Sequence, residues 1–283
     1  MIRDFSKCFC SEKYYAGATR KIGIQQNGEN YIVKFRRKSS HGLTYSHVSE
    51  YLGSHIFELL GIMAQDTWLG TYCGEEVVVM KDFISGGETF VPFDGVRECS
   101  HHRERESMPY EYDSILGVLE ENVEPPRIKE AVDTFWDMFI IDAFIGNSGR
   151  SGRNWGFLRG NGGYRIAPVF GNDSCLFPEV VTDEQCRKIL SSEKEMENYI
   201  LQFPSSQIHW KGKKSSFYEI IVSHQFPECD RALWRMIKKI DFAAVHDLVL
   251  GLEMLSDMRK FFLLSILEER YKRLLLEPFE RRM

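Results

Sequence analysis

The sequence "FIGNSGRSGRNWGFL", residues 144–158, joins an apolar helical pattern to a segment typical of a β-hairpin. The wider segment 143–172 contains four arginines but no Asp, Glu, His or Lys. At the overall acid frequency of the chain, 41 in 283, about four carboxylates would be expected in a segment of this length. A site for a hard metal ion, which needs carboxylate oxygens, is therefore difficult to build in this loop.

Upstream of the loop, the apolar periodicity predicts a small β-rich lobe with one helix. Segments 20–26 and 30–36 alternate between apolar and polar residues, and the "NGEN" between them is typical of a hairpin turn. Apolar residues recur at helical spacing across 47–61, where Gly61 is predicted to end the helix. The predicted order of strand, strand, helix, strand, strand covers residues 20–26, 30–36, 47–61, 67–72 and 75–83.

After residue 83 the pattern becomes mainly helical. Residues 84 to about 128 are predicted as loops with one short helix, and a helix with one apolar face follows from Ile128. A second hairpin is predicted across 154–170, and helix across nearly all of 183–283. We therefore expect a bilobal α+β fold, with a small β-rich lobe (1–83) and a larger, mainly helical lobe (84–283) that contains the hairpin region 144–170.

Composition excludes several classes of protein. The net charge of −5 and the pI near 6.0 argue against a dedicated nucleic-acid binder, and the basic segments 101–105 and 209–216 are predicted as loops. Seven scattered cysteines show no C-x-x-C spacing, so neither a disulfide framework nor a zinc site is indicated. The N-terminus lacks an apolar signal region, and the longest apolar run, 261–267, is too short to span a bilayer. The sequence predicts a cytoplasmic protein without a membrane anchor.

Two short segments of the β-rich lobe carry residues suited to phosphate chemistry. Lys34 lies in the strand "YIVKF", and Glu50 follows sixteen residues later on the amphipathic helix. In kinases, a strand lysine and a helix glutamate form an ion pair that presents the lysine to phosphates. By itself this pair is also compatible with two solvated side chains. The small residues Ala16, Gly17 and Ala18 precede a strand, where main-chain N–H groups can approach a phosphate, although a simple turn explains them equally well.

Taken in order, these segments resemble the HipA-like serine/threonine kinases, the toxin kinases of bacterial toxin–antitoxin systems. The resemblance extends over nearly the whole chain. It is carried by "AGATRK" (16–21, phosphate-binding loop), "YIVKF" (31–35, lysine strand), "SEYLGSHIFELLGI" (49–62, αC-like helix), "FWDMFIIDAFIGN" (135–147, helix before the catalytic loop), "RNWGFL" (153–158) and "IAPVF" (166–170).

The resemblance also identifies what this chain lacks. The catalytic loop of the family reads N-x-D-R-H-x-x-N, and the matching residues here are Asn147, Ser148, Gly149, Arg150, Ser151, Gly152, Arg153 and Asn154. The metal-binding segment of the family reads A-P-x-[YF]-D, and the matching residues are Ala167, Pro168, Val169, Phe170 and Gly171. Gly149 and Gly171 therefore replace the aspartate that accepts the substrate proton and the aspartate that holds Mg²⁺.

The resemblance implies a nucleotide site between the lobes. Its nucleotide-binding residues would be Ala16, Gly17, Ala18, Lys34, Glu50, Met80, Lys81, Asp82 and Phe83, the last four forming the hinge. Asn154 would be retained as a catalytic and metal-binding residue. With Gly149 and Gly171 in place of aspartates, we expect weak ATP binding and doubtful Mg²⁺ binding, with the loop arginines facing the phosphates.

Two carboxylates near the loop need separate consideration. Asp173 lies two residues after Gly171, which displaces it by roughly 6–7 Å in an extended segment, although a sharp turn would recover part of that distance. It is the alternative metal ligand. Asp142 precedes Gly149 by seven residues on the helix, and we expect it to cap or to pair with an arginine.

Three functions remain open from the sequence. The first is a pseudokinase that acts as a binding or regulatory protein through its nucleotide cleft, in a toxin–antitoxin type of setting with an antitoxin or another protein as partner. The second is an active serine/threonine kinase with a metal site rearranged around Asn154 and Asp173. The third is a purely structural interaction module whose cleft is filled by its own side chains.

Overall fold

The computed structural model describes residues 3–15, 17, 19–40, 42–99, 110–122, 125–160 and 163–282. The strands are β1 (Arg3–Asp4), β2 (Phe9–Cys10), β3 (Lys21–Gln26), β4 (Glu29–Phe35), β5 (Lys38–Ser39), β6 (Gly42–Leu43), β7 (Thr67–Tyr72), β8 (Glu75–Lys81), β9 (Thr89–Pro92), β10 (Gly156–Gly160), β11 (Gly163–Ile166), β12 (Ser205–Trp210) and β13 (Lys213–Ser216). The helices are α1 (Ser46–Leu59), α2 (Phe93–Cys99), α3 (Tyr112–Asn122), α4 (Pro125–Ile145), α5 (Asp183–Leu190), α6 (Glu193–Glu197), α7 (Phe217–Ser223), α8 (Pro227–Ile237), α9 (Phe242–Leu250), α10 (Asp257–Glu269) and α11 (Glu277–Glu280). Two π-helical segments, Asn198–Gln202 and Arg270–Leu276, continue α6 and α10.

The first part of the chain forms a six-stranded sheet in the order β1-β7-β8-β4-β3-β2, antiparallel except for the β1–β7 pair. The predicted β3–β4 hairpin is present, and its two turn residues Asn27 and Gly28 have φ of 52° and 81°, as a tight hairpin turn requires. One face of this sheet buries a small apolar cluster that includes Val33, Phe35 and Val79. Because side chains alternate along a strand, Lys34 lies on the opposite face from Val33 and Phe35.

Helix α1 packs against β7 and β8 and buries Leu52, Ile56 and Phe57. Gly61 follows the helix with φ of +74°, and its N–H bonds to the carbonyl of Glu58 at 2.8 Å. A left-handed glycine at this position ends a helix without a steric penalty, so the prediction for Gly61 is confirmed.

The rest of the chain is built around α4, which packs against α8 and buries Trp136, Ile140 and Phe144. The prediction of loops and one short helix for 84–128 was wrong, because β9, α2, α3 and the start of α4 lie there. Strand β9 pairs with β10 in a three-stranded sheet completed by β11. The β9–β10 pairing is a tertiary contact, and a strand of four residues is too short for its periodicity to predict that pairing.

The prediction that nearly all of 183–283 is helical was also wrong at one place. Strands β12 and β13 form a hairpin, so "HWKGKKSS" is not a loop between helices. Its turn residues Lys211 and Gly212 have φ of 53° and 74°. The signal in the sequence was Lys-Gly between alternating residues. The basic segment 101–105 lies outside the described residues, as do Asn161 and Gly162 of the β10–β11 turn.

Two buried arginines hold main-chain carbonyls in the helical part. Arg259 donates to the carbonyls of Leu176, Phe177 and Val180 at 2.8–2.9 Å, which fixes the chain just after residues 171–174. Arg270 donates to the carbonyls of Ala143 and Ile200 at 2.6–3.0 Å, among others, and burial lowers its pKa to about 9. Both arginines therefore satisfy carbonyls that irregular or helix-terminal backbone leaves unpaired. Among the described residues, no helix is both long and apolar enough to cross a bilayer.

His47, on the first turn of α1, gives a prediction about pH. It is 1% exposed, neither ring nitrogen has a hydrogen-bond partner among the described residues, and burial followed by the charge of Arg36 lowers its pKa from 6.5 to about 3. Glu76, at 3.8 Å from Nε2, is itself paired with Arg36. His47 is therefore protonated near pH 6.5 in the unfolded chain but stays neutral in the folded protein. The free energy of unfolding has its full value above pH 6.5 and decreases as the pH falls below 6.5.

Between pH 6.5 and 5, we expect this histidine to lower the free energy of unfolding by about 2 kcal/mol, at about 1.4 kcal/mol per pH unit. Urea unfolding at several pH values measures the slope. His47→Phe should reduce this slope by about 1.4 kcal/mol per pH unit. The control is His246→Gln, because His246 is half-exposed. An unchanged slope in His47→Phe would contradict the assignment.

Candidate functional site

Lys34 and Glu50 form the ion pair that the sequence predicted, with Nζ and Oε2 2.7 Å apart. Strand β4 and helix α1 present them to each other, and the two residues are only 8% and 0% exposed. Burial alone would lower the pKa of Lys34, but the carboxylates of Glu50 and Asp173 outweigh it and raise that pKa above its ordinary value. Lys34 is therefore a fixed, permanently charged cation.

A sharp turn brings Asp173 to the same lysine. Gly171 has φ of +72°, the N–H of Cys175 bonds to the carbonyl of Asn172 at 3.0 Å, and the Asp173 carboxylate lies 2.9 Å from the Lys34 ammonium. Arg37 approaches the other Asp173 oxygen at 3.7 Å. Although burial opposes it, the charge of Lys34 holds the pKa of Asp173 below its usual value. The turn therefore brings the Asp173 carboxylate within contact of Lys34, which an extended segment after Gly171 would place several ångströms further away.

Gly149 and Gly171, the positions where the resemblance implies aspartates, both have close neighbours. A Cβ at Gly171 would lie 3.0 Å from Cβ and Cγ of Asn154, and a Cβ at Gly149 would lie 3.2 Å from Ser174 Cβ. Asn154 is also engaged, because its side-chain amide donates to the carbonyl of Gly149 at 2.6 Å. A side chain at either position would therefore require Asn154 or Ser174 to move by a few tenths of an ångström.

Beneath the loop lies a buried polar network centred on Arg150. Its Nε donates to Asp142 at 2.8 Å, which confirms that Asp142 pairs with an arginine. Arg150 also donates to the side-chain oxygen of Asn172. The main-chain N–H of Asn172 donates to the Glu50 carboxylate at 2.7 Å. Through this network the loop, the 171–174 turn and α1 are held in one arrangement.

The expectation that the loop arginines face the phosphates was wrong. Arg150 pairs with Asp142 in the network below the loop, and Arg165 pairs with Glu88, each at 2.8 Å. Arg159 is exposed, and the Arg153 side chain is 86% exposed, its Nε 3.9 Å from the carboxylate of Asp94. Arg159 and Arg165 lie on the β10–β11 hairpin, whereas Arg150 and Arg153 lie in the loop before it.

Lys21 is a cation of this site that sequence reasoning missed. It lies directly opposite Lys34 in the β3–β4 pairing and is half-buried. Gly17, with φ of +126°, has the Lys21 ammonium where its own Cβ would point. Ala16 and Ala18 of the predicted phosphate loop lie outside the described residues. The cross-strand register of the predicted hairpin was the signal that could have found Lys21.

The predicted hinge, 80–83, spans the end of β8. Met80 and Lys81 are the last residues of that strand. The carboxylate of Asp82 accepts hydrogen bonds from the Tyr15 hydroxyl at 2.8 Å and from the N–H of Ile84 at 3.0 Å. Beside it, the rings of Phe83, Phe90 and Phe170 form a cluster with centroids 5.2–6.0 Å apart. These half-buried rings could stack on a flat aromatic ligand.

One more carboxylate near the loop was missed, because it comes from α2. Asp94 accepts from the Tyr110 hydroxyl, which in turn accepts from the N–H of Gly152 at 2.7 Å. Burial, followed by the hydrogen bond to Asp94, raises the pKa of Tyr110 above its ordinary value. Asp94 is thus engaged in holding the loop.

This geometry agrees with the comparisons to known proteins. The model of the HipA-like C-terminal domain family matches residues 14–220. The chain belongs to that family. The HipA-like resemblance seen in the sequence is therefore confirmed, and so is the α+β kinase-like fold with its curled β-sheet and helices.

Among the relatives of this HipA-like chain is the serine/threonine-protein kinase CtkA of Helicobacter pylori, 33% identical over 96% of this chain and 86% of CtkA. The crystal structure of the proinflammatory kinase CtkA superposes with a TM-score of 0.91 at 32% identity, covering 99% of this chain and 98% of that one. HipA of Shewanella oneidensis, solved with HipB and operator DNA, has a TM-score of 0.58 at 14% identity, covering 95% and 65% of the two chains. The HipA match supports the fold alone.

Kinase relatives imply ATP and Mg²⁺, and the residues of this HipA-like chain fit the two unequally. Lys34, Lys21 and Arg37 are suited to phosphate oxygens. For Mg²⁺, Gly171 offers no side-chain oxygen, and the described residues contain no group of three or more His, Cys, Asp or Glu placed to hold a metal. In the part of the chain that the structure describes, the carboxylate beside Lys34 other than Glu50 is that of Asp173, which is already ion-paired. The site fits a polyphosphate but not its usual metal ion.

Proposed function

We propose that this HipA-like protein is a pseudokinase that binds nucleotide phosphates in its cleft and transfers none. The observation that carries the proposal is the absence of a carboxylate at positions 149 and 171, together with the capture of Asp173 by Lys34 and Arg37. The Lys34–Glu50 pair, by contrast, is intact. The cleft keeps its means of binding anions and lacks the groups for transfer.

The chemical argument concerns charge at two places. Phosphoryl transfer depends on a metal that neutralises the β- and γ-phosphate oxygens and on a carboxylate that orients and deprotonates the acceptor hydroxyl. Glycine at 171 removes the metal's carboxylate, and glycine at 149 removes the acceptor's. Lys34 can neutralise part of the phosphate charge, but one lysine does not align an acceptor with the leaving group.

We expect no Mg²⁺-dependent phosphotransfer and weak ATP binding that Mg²⁺ changes by less than about threefold, because the ion finds no ligand to add. Incorporation of ³²P from ATP into the full chain or a generic protein substrate measures the first. Calorimetry with ATP in EDTA and in Mg²⁺ measures the second. Lys34→Ala is the control that separates cleft-dependent signals from contaminants.

A second function, that of an active serine/threonine kinase, is favoured by one observation. The turn at Gly171 places the Asp173 carboxylate beside Lys34, where a metal ligand could serve the phosphates. Labelling that Lys34→Ala abolishes, or a Mg²⁺-dependent gain in ATP affinity of about a hundredfold, 2.7 kcal/mol, would overturn the pseudokinase proposal and support this one. If ATP binds under neither condition, the protein is an interaction module.

The setting of the proposed pseudokinase is a protein partnership. The Shewanella relative was solved as a complex with HipB, which supports a partner protein for HipA-like folds in general. We propose an antitoxin or comparable protein as the partner, with no dedicated nucleic-acid binding by this acidic chain. Affinity capture with the tagged full chain, compared with Lys34→Ala, tests whether a partner depends on the cleft.

A further inference from the structure

We propose that Lys21, Lys34 and Arg37 form a metal-independent polyphosphate site in which the Asp173 carboxylate is the resident anion, displaced when a ligand binds. The proposal rests on the proposed function and deepens it, because it says how phosphates are held without Mg²⁺. It also gives Asp173 a role opposite to that of a metal ligand: it competes with the phosphates.

Two cations, Lys34 and Arg37, approach the Asp173 carboxylate, and a third, Lys21, lies beside Lys34 on the neighbouring strand. Lys21 and Lys34 are directly opposed in the β3–β4 register, so their side chains leave the same face of the sheet. Lys34 touches Asp173 at 2.9 Å, and Arg37 lies 3.7 Å away. Arg37 also donates to the Ser174 hydroxyl at 3.3 Å.

The charges explain why an anion is needed here. Lys21, Lys34 and Arg37 carry three positive charges against one each on Glu50 and on Glu179, which pairs with Arg37 at 3.1 Å. This leaves +1 before Asp173 is counted and 0 afterwards. Burial, and then the neighbouring charge of Lys34, lowers the pKa of Lys21, while Asp173 and Glu50 act against that shift. The cluster is therefore short of negative charge without Asp173.

The contacts of Asp173 also make it the replaceable partner. Glu50 is fully buried and tied to both Lys34 and the N–H of Asn172. The Asp173 side chain is 14% exposed, and among the described residues its carboxylate accepts, apart from the cations, from the adjacent Ser174 hydroxyl at 3.1 Å. A phosphate oxygen can take the place of its carboxylate on Lys34 and Arg37 while Glu50 stays.

The test uses inorganic tripolyphosphate in EDTA as the probe and the full chain as the protein. Asp173→Asn is nearly isosteric and removes the competing charge, so we expect tripolyphosphate to bind about tenfold more tightly or better by calorimetry. Lys21→Met should bind about tenfold more weakly than the parent. Matched controls are Asp257→Asn and Lys214→Met, exposed residues outside this cluster, which should leave binding unchanged. Circular dichroism and melting curves verify that each variant is folded.

The outcomes separate the inference from the proposed function. If Asp173→Asn weakens Mg·ATP binding and leaves metal-free tripolyphosphate binding unchanged, Asp173 is a metal ligand and the inference is wrong. If tripolyphosphate behaves as expected but ATP binds no better than tripolyphosphate, the anion site stands and the nucleotide function falls. If ATP binds the parent but tripolyphosphate binds neither the parent nor Asp173→Asn, the inference falls alone.

Discussion

Replacing Asp142 by alanine is expected to lower the free energy of unfolding by about 3–5 kcal/mol, because it leaves a buried guanidinium without its counter-charge. Asp142 is 1% exposed and accepts from Nε and Nη2 of Arg150 at 2.8 and 3.1 Å, and from the Asn147 side chain at 2.8 Å. Arg150 is itself 8% exposed, so water cannot readily replace the carboxylate. The loss is large because one partner stays behind, not because the pair is intrinsically worth that much.

Urea unfolding followed by tryptophan fluorescence measures the change. Glu75→Ala is the matched control, since it breaks the exposed Arg20–Glu75 pair, whose side chains are 63% and 53% exposed, and should cost less than about 1 kcal/mol. A loss of less than about 1 kcal/mol for Asp142→Ala would mean that water enters the network and that the loop is not held as described.

The same network holds the turn that carries Asp173 although residues 149 and 171 are glycines. Arg150, Asn172 and Glu50 remain connected, and through them the turn carrying Asp173 is fixed against α1. Gly53 of α1 adds to this, because a Cβ there would meet Asn172 Cβ at 2.5 Å. The scaffold around the cleft is therefore maintained by contacts that do not need the transfer chemistry.

The β-rich half could be predicted from sequence because its signals are local. Asn27-Gly28 specifies a tight turn, alternation gives the two strands, and helical spacing ending at Gly61 gives α1. With those elements in place, the Lys34–Glu50 pair follows from the kinase pattern, and the structure forms it. Local signals and tertiary packing agree in this half.

What the sequence could not show depends on contacts between distant segments. Strand β9 is defined by its pairing with β10 more than sixty residues away, and Asp94 reaches the loop through Tyr110. The turn that brings Asp173 to Lys34 depends on a left-handed Gly171, which a sequence pattern permits but does not require. The position of Lys21 is likewise set by register, because the β3–β4 pairing places it directly opposite Lys34.

Restoring both aspartates, Gly149→Asp with Gly171→Asp, is expected to make ATP binding Mg²⁺-dependent by at least about a hundredfold, 2.7 kcal/mol, and to give detectable phosphotransfer. Gly171→Asp alone should restore the metal dependence with little transfer, since the metal must be held before an acceptor group matters. The effect should be greater when Asp173→Asn is added, because Lys34 is then free of a competing carboxylate. Calorimetry with and without Mg²⁺, followed by ³²P transfer, measures both quantities.

The structure identifies where this repair meets resistance. Gly171 has φ of +72°, a conformation that aspartate adopts more readily than most residues, and its new Cβ would lie 3.0 Å from Asn154, which must move by a few tenths of an ångström. Gly171→Asn is the control, since it carries the same steric burden without the charge. If Gly171→Asp and Gly171→Asn are equally folded and neither gains Mg²⁺-dependent binding, Asn154 no longer faces a usable metal position. The cleft would then have changed beyond its two lost carboxylates, and an interaction module would be the better description of the protein.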